Sequence, residues 1–342
     1  MRRDLILFLI VIAIFFGVSR YGFFPSFLHS VGIDRSIPLP VFSQPDEKTW
    51  AIQSIDTMKY SRDLARAKLN DDAFSQVIDT QVRNIAETGA NYVAIDTPYD
   101  QEFFPMLSRW VLAARKYNLH VWFRGNFSGW ENWFGYPRIT RAQHMEKTQS
   151  FILDHSDIFE DGDIFSACPE CENGGPGDPR HTGDVNGFRN FIITEYALAQ
   201  GAFEKIGKKV SANYYPMNAD VAKLVMDKQT TLSMGSVVVV DHYVNSPEVL
   251  VEDIRKLQEK TGGKIVLGEF GAPIPGIHGK MTESEQTQWV ESVLGRLSSL
   301  NGVGGVNYWS NSGGTTGIWD KNGKAFSAVP IIKKYFKPEI IF

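Results

Sequence analysis

The sequence predicts an α/β fold, a (β/α)8 barrel of the TIM type, preceded by an N-terminal membrane anchor and a proline-containing linker. Three observations predict it. Short β-branched or aromatic runs alternate with longer amphipathic stretches from Thr49 onward, the rhythm of parallel strands joined by crossover helices. Eight such runs can be counted, as a closed barrel requires and more than a doubly wound sheet usually needs. Polar and aromatic residues collect just after these runs, where the βα loops of a barrel carry its chemistry.

The first stretch stands outside the fold. Arg2 and Arg3 precede an unbroken apolar run, Leu5 to Val18, a charged n-region followed by an h-region. The run is shorter than the roughly 20 residues that span a bilayer. No small-x-small cleavage site follows it; Ser19, Arg20 and the patch Tyr21-Gly22-Phe23-Phe24 extend it toward the interface instead. Residues 1–28 are therefore expected to be an uncleaved signal-anchor, with a cleaved signal peptide and secretion as the alternative. The arginines would hold the N-terminus in the cytoplasm and place the rest outside the membrane. Residues 29–48 carry Pro38, Pro40 and Pro45 and suit a stiff linker. Residues 49–342 are then one domain, of a length common for such barrels.

The expected strands are Thr49–Ser54, Tyr92–Asp96, His120–Arg124, Asp163–Ala167, Lys209–Asn213, Ser236–Asp241, Lys264–Gly268 and Gly305–Tyr308. Helices are expected over Asp71–Thr88, Phe103–Lys116, Phe188–Ile206, Pro247–Thr261 and Thr282–Leu300. Ser246-Pro247 and Thr282-Glu283-Ser284-Glu285 read as helix N-termini, a capping residue before proline and a capping box.

The composition is that of a globular protein, 43% hydrophobic and 22% charged among 342 residues. A net charge of −4 gives no electrostatic case for a nucleic-acid partner. Aromatics make 13% of the chain, and those in polar, glycine-rich segments suggest platforms for a ligand.

Two strand ends carry carboxylates suited to glycosidic cleavage. A retaining mechanism needs one carboxylate as nucleophile and a protonated one as general acid, roughly 5 Å apart. Glu269 follows Ile265-Val266-Leu267 and sits between Gly268 and Gly271, which let a sugar ring approach. Arg124 and Tyr243 are donors able to keep it ionised; a structural salt bridge is the bland alternative. After strand four come Glu170 and Glu172. Glu170 is the preferred acid/base and Glu172 the alternative, since residues two apart in extended chain share a side.

The other candidate sugar-binding residues also stand at strand ends or in the loops beyond: Asn126, Trp130, Asn173, Asn213, Tyr215, His242 and Trp309. At least one of Trp130 and Trp133 is expected to be a platform, because both lie in a Gly/Asn/Ser-rich loop. Cys168 and Cys171 are the two cysteines. No further soft ligands at matching spacing suggest zinc, so a local disulfide stiffening the loop is expected, with free thiols as the alternative. No metal or organic cofactor is expected.

These residues resemble the clan A glycoside hydrolases, which include the family 5 cellulases and mannanases. Gly268-Glu269-Phe270-Gly271 is similar to that clan's strand-seven nucleophile motif. His242-Tyr243 resembles its strand-six pair, Trp309 its strand-eight tryptophan, and Gly317-Ile318-Trp319-Asp320 its C-terminal loop. The clan usually has Asn before the strand-four acid; here Pro169 precedes Glu170 and Cys171 precedes Glu172. The resemblance implies retaining hydrolysis of a β-linked glycan; a poly- or oligosaccharide substrate and a monomeric enzyme are expected. A non-catalytic glycan-binding barrel and a transglycosylase using the same two carboxylates are the alternatives.

Overall fold

The structure, a computed structural model, describes residues 49–337. The expected signal-anchor and the linker lie outside the described residues, among which no helix is long and apolar enough to cross a membrane. Eight parallel strands follow one another: β1 (Ile52–Asp56), β2 (Tyr92–Ile95), β3 (His120–Phe123), β4 (Ile164–Phe165), β5 (Pro216–Asn218), β6 (Val237–Asp241), β7 (Lys264–Phe270) and β8 (Val303–Tyr308). Their order in the sheet is β4-β3-β2-β1-β8-β7-β6-β5, so consecutive strands are adjacent except β4 and β5, which end the sheet, and β1 pairs with β8. The two end strands approach one another through the segment before β5. Ser211 bridges Ile164, and backbone bonds run from Phe165 to Ser211, from Ser211 to Asp163 and from Gly162 to Lys209 at 2.9–3.0 Å. The arrangement is compatible with a (β/α)8 barrel.

The crossovers are α1 (Phe74–Glu87), α2 (Phe104–Lys116), α3 (Arg141–Asp154), α4 (Val185–Lys205), α5 (Ala219–Val225), α6 (Pro247–Thr261) and α7 (Glu283–Ser298), with α8 (Ala328–Phe336) after β8. Their buried faces follow the helical repeat: α1 buries Phe74, Ile78, Val82 and Ile85, spaced three or four apart. The termini form as the sequence predicts. The Ser246 hydroxyl accepts from the Val249 amide before Pro247, and Thr282 and Glu285 close a capping box.

Two apolar layers result. Inside the curl of strands, Ile52, Ala94, Trp122, Ile164, Val239 and Val266 pack together. A larger cluster fills the space between strands and helices.

The strand bounds differ from expectation in several places, and two of the differences move residues of the site. β1 begins and ends later than Thr49–Ser54, which brings Asp56 to the strand end. The expected fifth strand, Lys209–Asn213, pairs with β4 only as far as Ser211; regular pairing with β6 resumes at Pro216. The C-terminal end of β5 is consequently Asn218, and Asn213 and Tyr215 lie before the strand.

Candidate active site

Arg124 organises the C-terminal ends of the strands. It leaves β3 and is almost fully buried, 2% exposed. One guanidinium nitrogen donates to the Gly268 carbonyl at 3.0 Å, and another to Asp241 at 3.1 Å and to Glu269 at 2.6 Å. Its Nε lies 3.5 Å from Asp56 and 3.7 Å from Asp96. Four carboxylates from β1, β2, β6 and β7 thus surround one permanent cation. A single guanidinium cannot balance four buried anions, and the carboxyls respond. Burial, with Glu269 adding to it, pushes Asp56 up to about 6 although Arg124 opposes the shift. Burial also raises Asp96 and Asp241 well above the ordinary range.

Glu269 reaches this cage because β7 is irregular. Val266 faces inward and Leu267 outward, so strict alternation would turn Glu269 outward. The register instead slips by one residue, Val240 pairing Leu267 and Asp241 pairing Glu269. A bulge of this kind re-aims a side chain; Glu269 points in and Phe270 joins the outer core. Gly268 is required here, since a Cβ would stand 2.4 Å from the Asp241 carboxyl and 3.1 Å from Arg124. The second Glu269 oxygen accepts from the Tyr243 hydroxyl at 2.8 Å. Two donors, one of them a cation, thus fix the orientation of the Glu269 carboxyl.

Glu170 faces it across the strand ends. One carboxylate oxygen from each of Glu170, Asp241 and Glu269 lies within 4.8 Å of the other two. Burial, then the charges of Glu269 and Glu172, push Glu170 up to about 8. Its carboxyl accepts from Asn173 Nδ2 at 3.0 Å. Glu172 turns elsewhere and accepts from the backbone and side chain of Asn218, at 2.6 and 3.0 Å. Glu172 thus fastens the loop after β4 to the end of β5.

That loop also holds a disulfide between Cys168 and Cys171, in line with the expected pairing. Chain-entropy reasoning assigns a ring this short only about 2 kcal/mol of global stability, so its effect is chiefly local.

The remaining expected residues divide. Asn173 and Trp309 stand with the carboxylates. Trp309 is half-buried and meets the Tyr243 ring edge-on at 6.0 Å, and its indole Nε1 has no acceptor among the described residues. Trp130 does not face the site: it is fully buried, stacks on Phe191 at 5.3 Å and donates to the Cys171 carbonyl. Trp133, only partly buried, lines the recess between Glu170 and Glu269, with Arg62 over its ring at 4.6 Å.

Four further expectations need correction. Asn126 is fully buried; its oxygen meets the Phe127 amide and His144 Nε2, so it braces the loop from behind. Asn213 donates to the Met234 carbonyl ahead of β6, five residues before the functional end of β5. Tyr215 is buried against α4, its hydroxyl 3.4 Å from Glu195. His242 alternates outward between Asp241 and Tyr243 and pairs with Asp253 of α6 at 2.9 Å.

Several site residues escaped the sequence reading. Asp56 was hidden by the misplaced end of β1, whereas Asp96 and Asp241 did carry the signal of a carboxylate at a strand end. Glu131 and Arg62, which line the same recess, sit in short helical turns with no distinguishing pattern. Burial pushes Glu131 up to about 8.

No family model and no curated protein matches the chain. Solved structures do resemble it. The GH5_18 protein from Bifidobacterium longum subsp. longum, in complex with Manβ1-4GlcNAc, superposes with a TM-score of 0.64 at 13% identity over 83% of this chain and 78% of that one. The GH5_18 protein from Streptomyces cattleya, also with Manβ1-4GlcNAc, gives 0.60 at 11% identity, covering 83% and 79%. A β-D-glucuronidase from Dictyoglomus thermophilum gives 0.55 at 16% identity, covering 86% of this chain but 51% of that longer one. At these identities the likeness establishes a shared fold, the curled parallel sheet that carries Glu170 and Glu269 at its C-terminal end.

Proposed function

We propose that the chain is a retaining glycoside hydrolase acting on a β-linked poly- or oligosaccharide. The observation that carries this reading is the Glu170–Glu269 pair, one oxygen of each carboxylate lying within 4.8 Å of the other. So close an approach suits double displacement, in which the two carboxyl groups stand roughly 5–5.5 Å apart. The two environments divide the roles. Glu269, held by Arg124 and Tyr243, attacks the anomeric carbon. Glu170, protonated up to about pH 8, gives its proton to the departing oxygen. As a carboxylate it then takes a proton from the water that hydrolyses the glycosyl-enzyme. Trp309 and Trp133 offer aromatic faces for sugar rings. The resemblance to structures solved with Manβ1-4GlcNAc supports a β-linked glycan as substrate class.

The same proposal places residues 1–28 in the membrane and the barrel outside it, where a disulfide persists. Protease added to intact cells expressing the full chain should then digest the barrel.

The test of the chemistry is intact mass after incubation with a panel of 2-fluoro-β-glycosides bearing a good leaving group. An adduct mapped to Glu269 is expected. Tight glycan binding with no adduct from any sugar would replace the enzyme with a non-catalytic glycan-binding barrel.

A further inference from the structure

We propose that the Cys168–Cys171 disulfide is a positioning device for the acid/base carboxyl, holding Glu170 opposite Glu269. This inference rests on the role proposed above for Glu170. The bridge closes a ring of four residues, Cys168-Pro169-Glu170-Cys171, with Cα atoms 5.1 Å apart. Glu170 lies inside that ring at a φ of +44°, in the left-handed region that residues with a Cβ seldom occupy. Pro169 fixes the φ that precedes it. The Glu170 amide donates to the Pro216 carbonyl at 2.7 Å, and its carbonyl accepts from the Asn173 amide at 2.7 Å.

The ring is itself anchored. Trp130 Nε1 donates to the Cys171 carbonyl at 3.1 Å, and Asn126 Nδ2 lies 3.7 Å from Cys168 Sγ. Beyond the ring, Gly175 packs so closely on the Trp130 indole that a Cβ would stand 2.1 Å from it. By contrast, the carboxyl of Glu170 has a single hydrogen bond among the described residues, from Asn173. Its position is therefore set by backbone rather than by side-chain partners. Opening the ring lets φ return to the common negative region, which swings the Cα–Cβ bond and withdraws the carboxyl from the scissile oxygen. Misplacement by about 1 Å is enough to cost roughly 10²-fold in rate. The bridge is a permanent brace rather than a redox switch. Cys168 is fully buried and Cys171 is 4% exposed, while thiol exchange requires access to a sulfur.

The experiment compares the full-length wild type with a Cys168→Ser/Cys171→Ser variant on two aryl β-glycosides of the sugar that labels Glu269. A dinitrophenolate leaves without a proton; a phenolate needs one. The variant should lose roughly 10²-fold in kcat/KM on the phenyl glycoside and change little on the dinitrophenyl glycoside, and azide should accelerate its turnover. Equal losses on both substrates would make the bridge a general staple, and unchanged rates would make it irrelevant to Glu170; either result overturns the proposal. If the serine variant does not fold, Cys168→Ala/Cys171→Ala takes its place, keeping the buried positions apolar. Absence of a Glu269 adduct in the wild type is a separate result, which removes the hydrolase reading itself.

Discussion

The Tyr243 hydroxyl donates to one oxygen of Glu269 at 2.8 Å while Arg124 occupies the other at 2.6 Å. The tyrosine arrives from β6 and the arginine from β3, so the orientation of the proposed nucleophile depends on two strands besides its own. Tyr243→Phe removes the neutral donor and keeps the ring that meets Trp309 edge-on. A hydrogen bond to a charged group is worth about 1.5–3 kcal/mol, so kcat/KM should fall roughly 10- to 100-fold with little change in melting temperature. Steady-state rates on an activated aryl glycoside and a thermal melt check both halves.

Arg124 makes a different prediction, because it sustains the fold as well as the site. Arg124→Met leaves Asp56, Asp96, Asp241 and Glu269 buried without their cation. Breaking a buried ion pair from one side costs about 3–5 kcal/mol, a large part of a typical domain's stability. Since Asp56 already titrates at about 6, acid should relieve the variant. The deficit in urea midpoint relative to wild type should be smaller at pH 5 than at pH 8. A deficit that is the same at both would mean that the carboxyls do not depend on the guanidinium.

The pH dependence of Glu170 has a definite sign. Folded, it holds its proton up to about pH 8; unfolded, an ordinary glutamate loses it near 4.5. Between those values the folded state binds more protons, so its contribution to stability declines as pH rises through the window. Glu170→Gln cannot titrate, and the stability of wild type relative to this variant should fall from pH 5 to 8. In catalysis the same proton sets the alkaline limb. Wild-type kcat/KM on a phenyl glycoside should drop above about pH 8, and the limb should be absent from the residual activity of Glu170→Gln on the same substrate.

Much of this was legible in the sequence, for identifiable reasons. Glu269, Arg124 and Tyr243 follow clean apolar strands, so their place at a strand end could be counted. The alternation of β6 is legible too: Asp241 and Tyr243 share the inner face, so the phase of the strand turns His242 outward, away from a sugar. Asn213 and Tyr215 are not legible in this way. The chain from Lys209 to Asn218 bends between its pairing with β4 and its pairing with β6, and nothing in Ala212-Asn213-Tyr214-Tyr215 marks the break. The bulge that aims Glu269 depends on backbone geometry, which residue types do not encode.

Glu172 separates the two readings left open after strand four. Its carboxyl is taken up by Asn218, so Glu172→Gln should keep the loop's hydrogen bond to the side chain and lose at most a few fold in kcat/KM on a phenyl glycoside. Glu170→Gln on the same substrate should lose about 10²–10⁴-fold, the usual worth of general acid catalysis. Azide should restore turnover of a dinitrophenyl glycoside in Glu170→Ala and yield the β-glycosyl azide. The opposite ranking of the two glutamine variants would transfer the acid/base role to Glu172.

Trp130 and Trp133 stand three residues apart in one glycine-rich stretch, yet their environments assign them opposite duties. Trp130 is fully buried between Phe191, His144 and the Cys171 carbonyl. Trp130→Ala should cost about 3–5 kcal/mol of stability, as truncation of a large buried aromatic does. It should also loosen the disulfide loop that leans on it. Trp133 is partly exposed at the mouth of the carboxylate recess, its ring covered on one side by Arg62. Stacking that orders a bound sugar, and otherwise only shields an arginine, should appear in binding rather than in folding. Trp133→Ala is therefore expected to raise KM for an oligosaccharide several-fold while its melting temperature stays within a few degrees of wild type. If Trp133→Ala instead melts early and leaves KM alone, its ring belongs to the packing of Arg62, and Trp309 is left as the aromatic platform of the site.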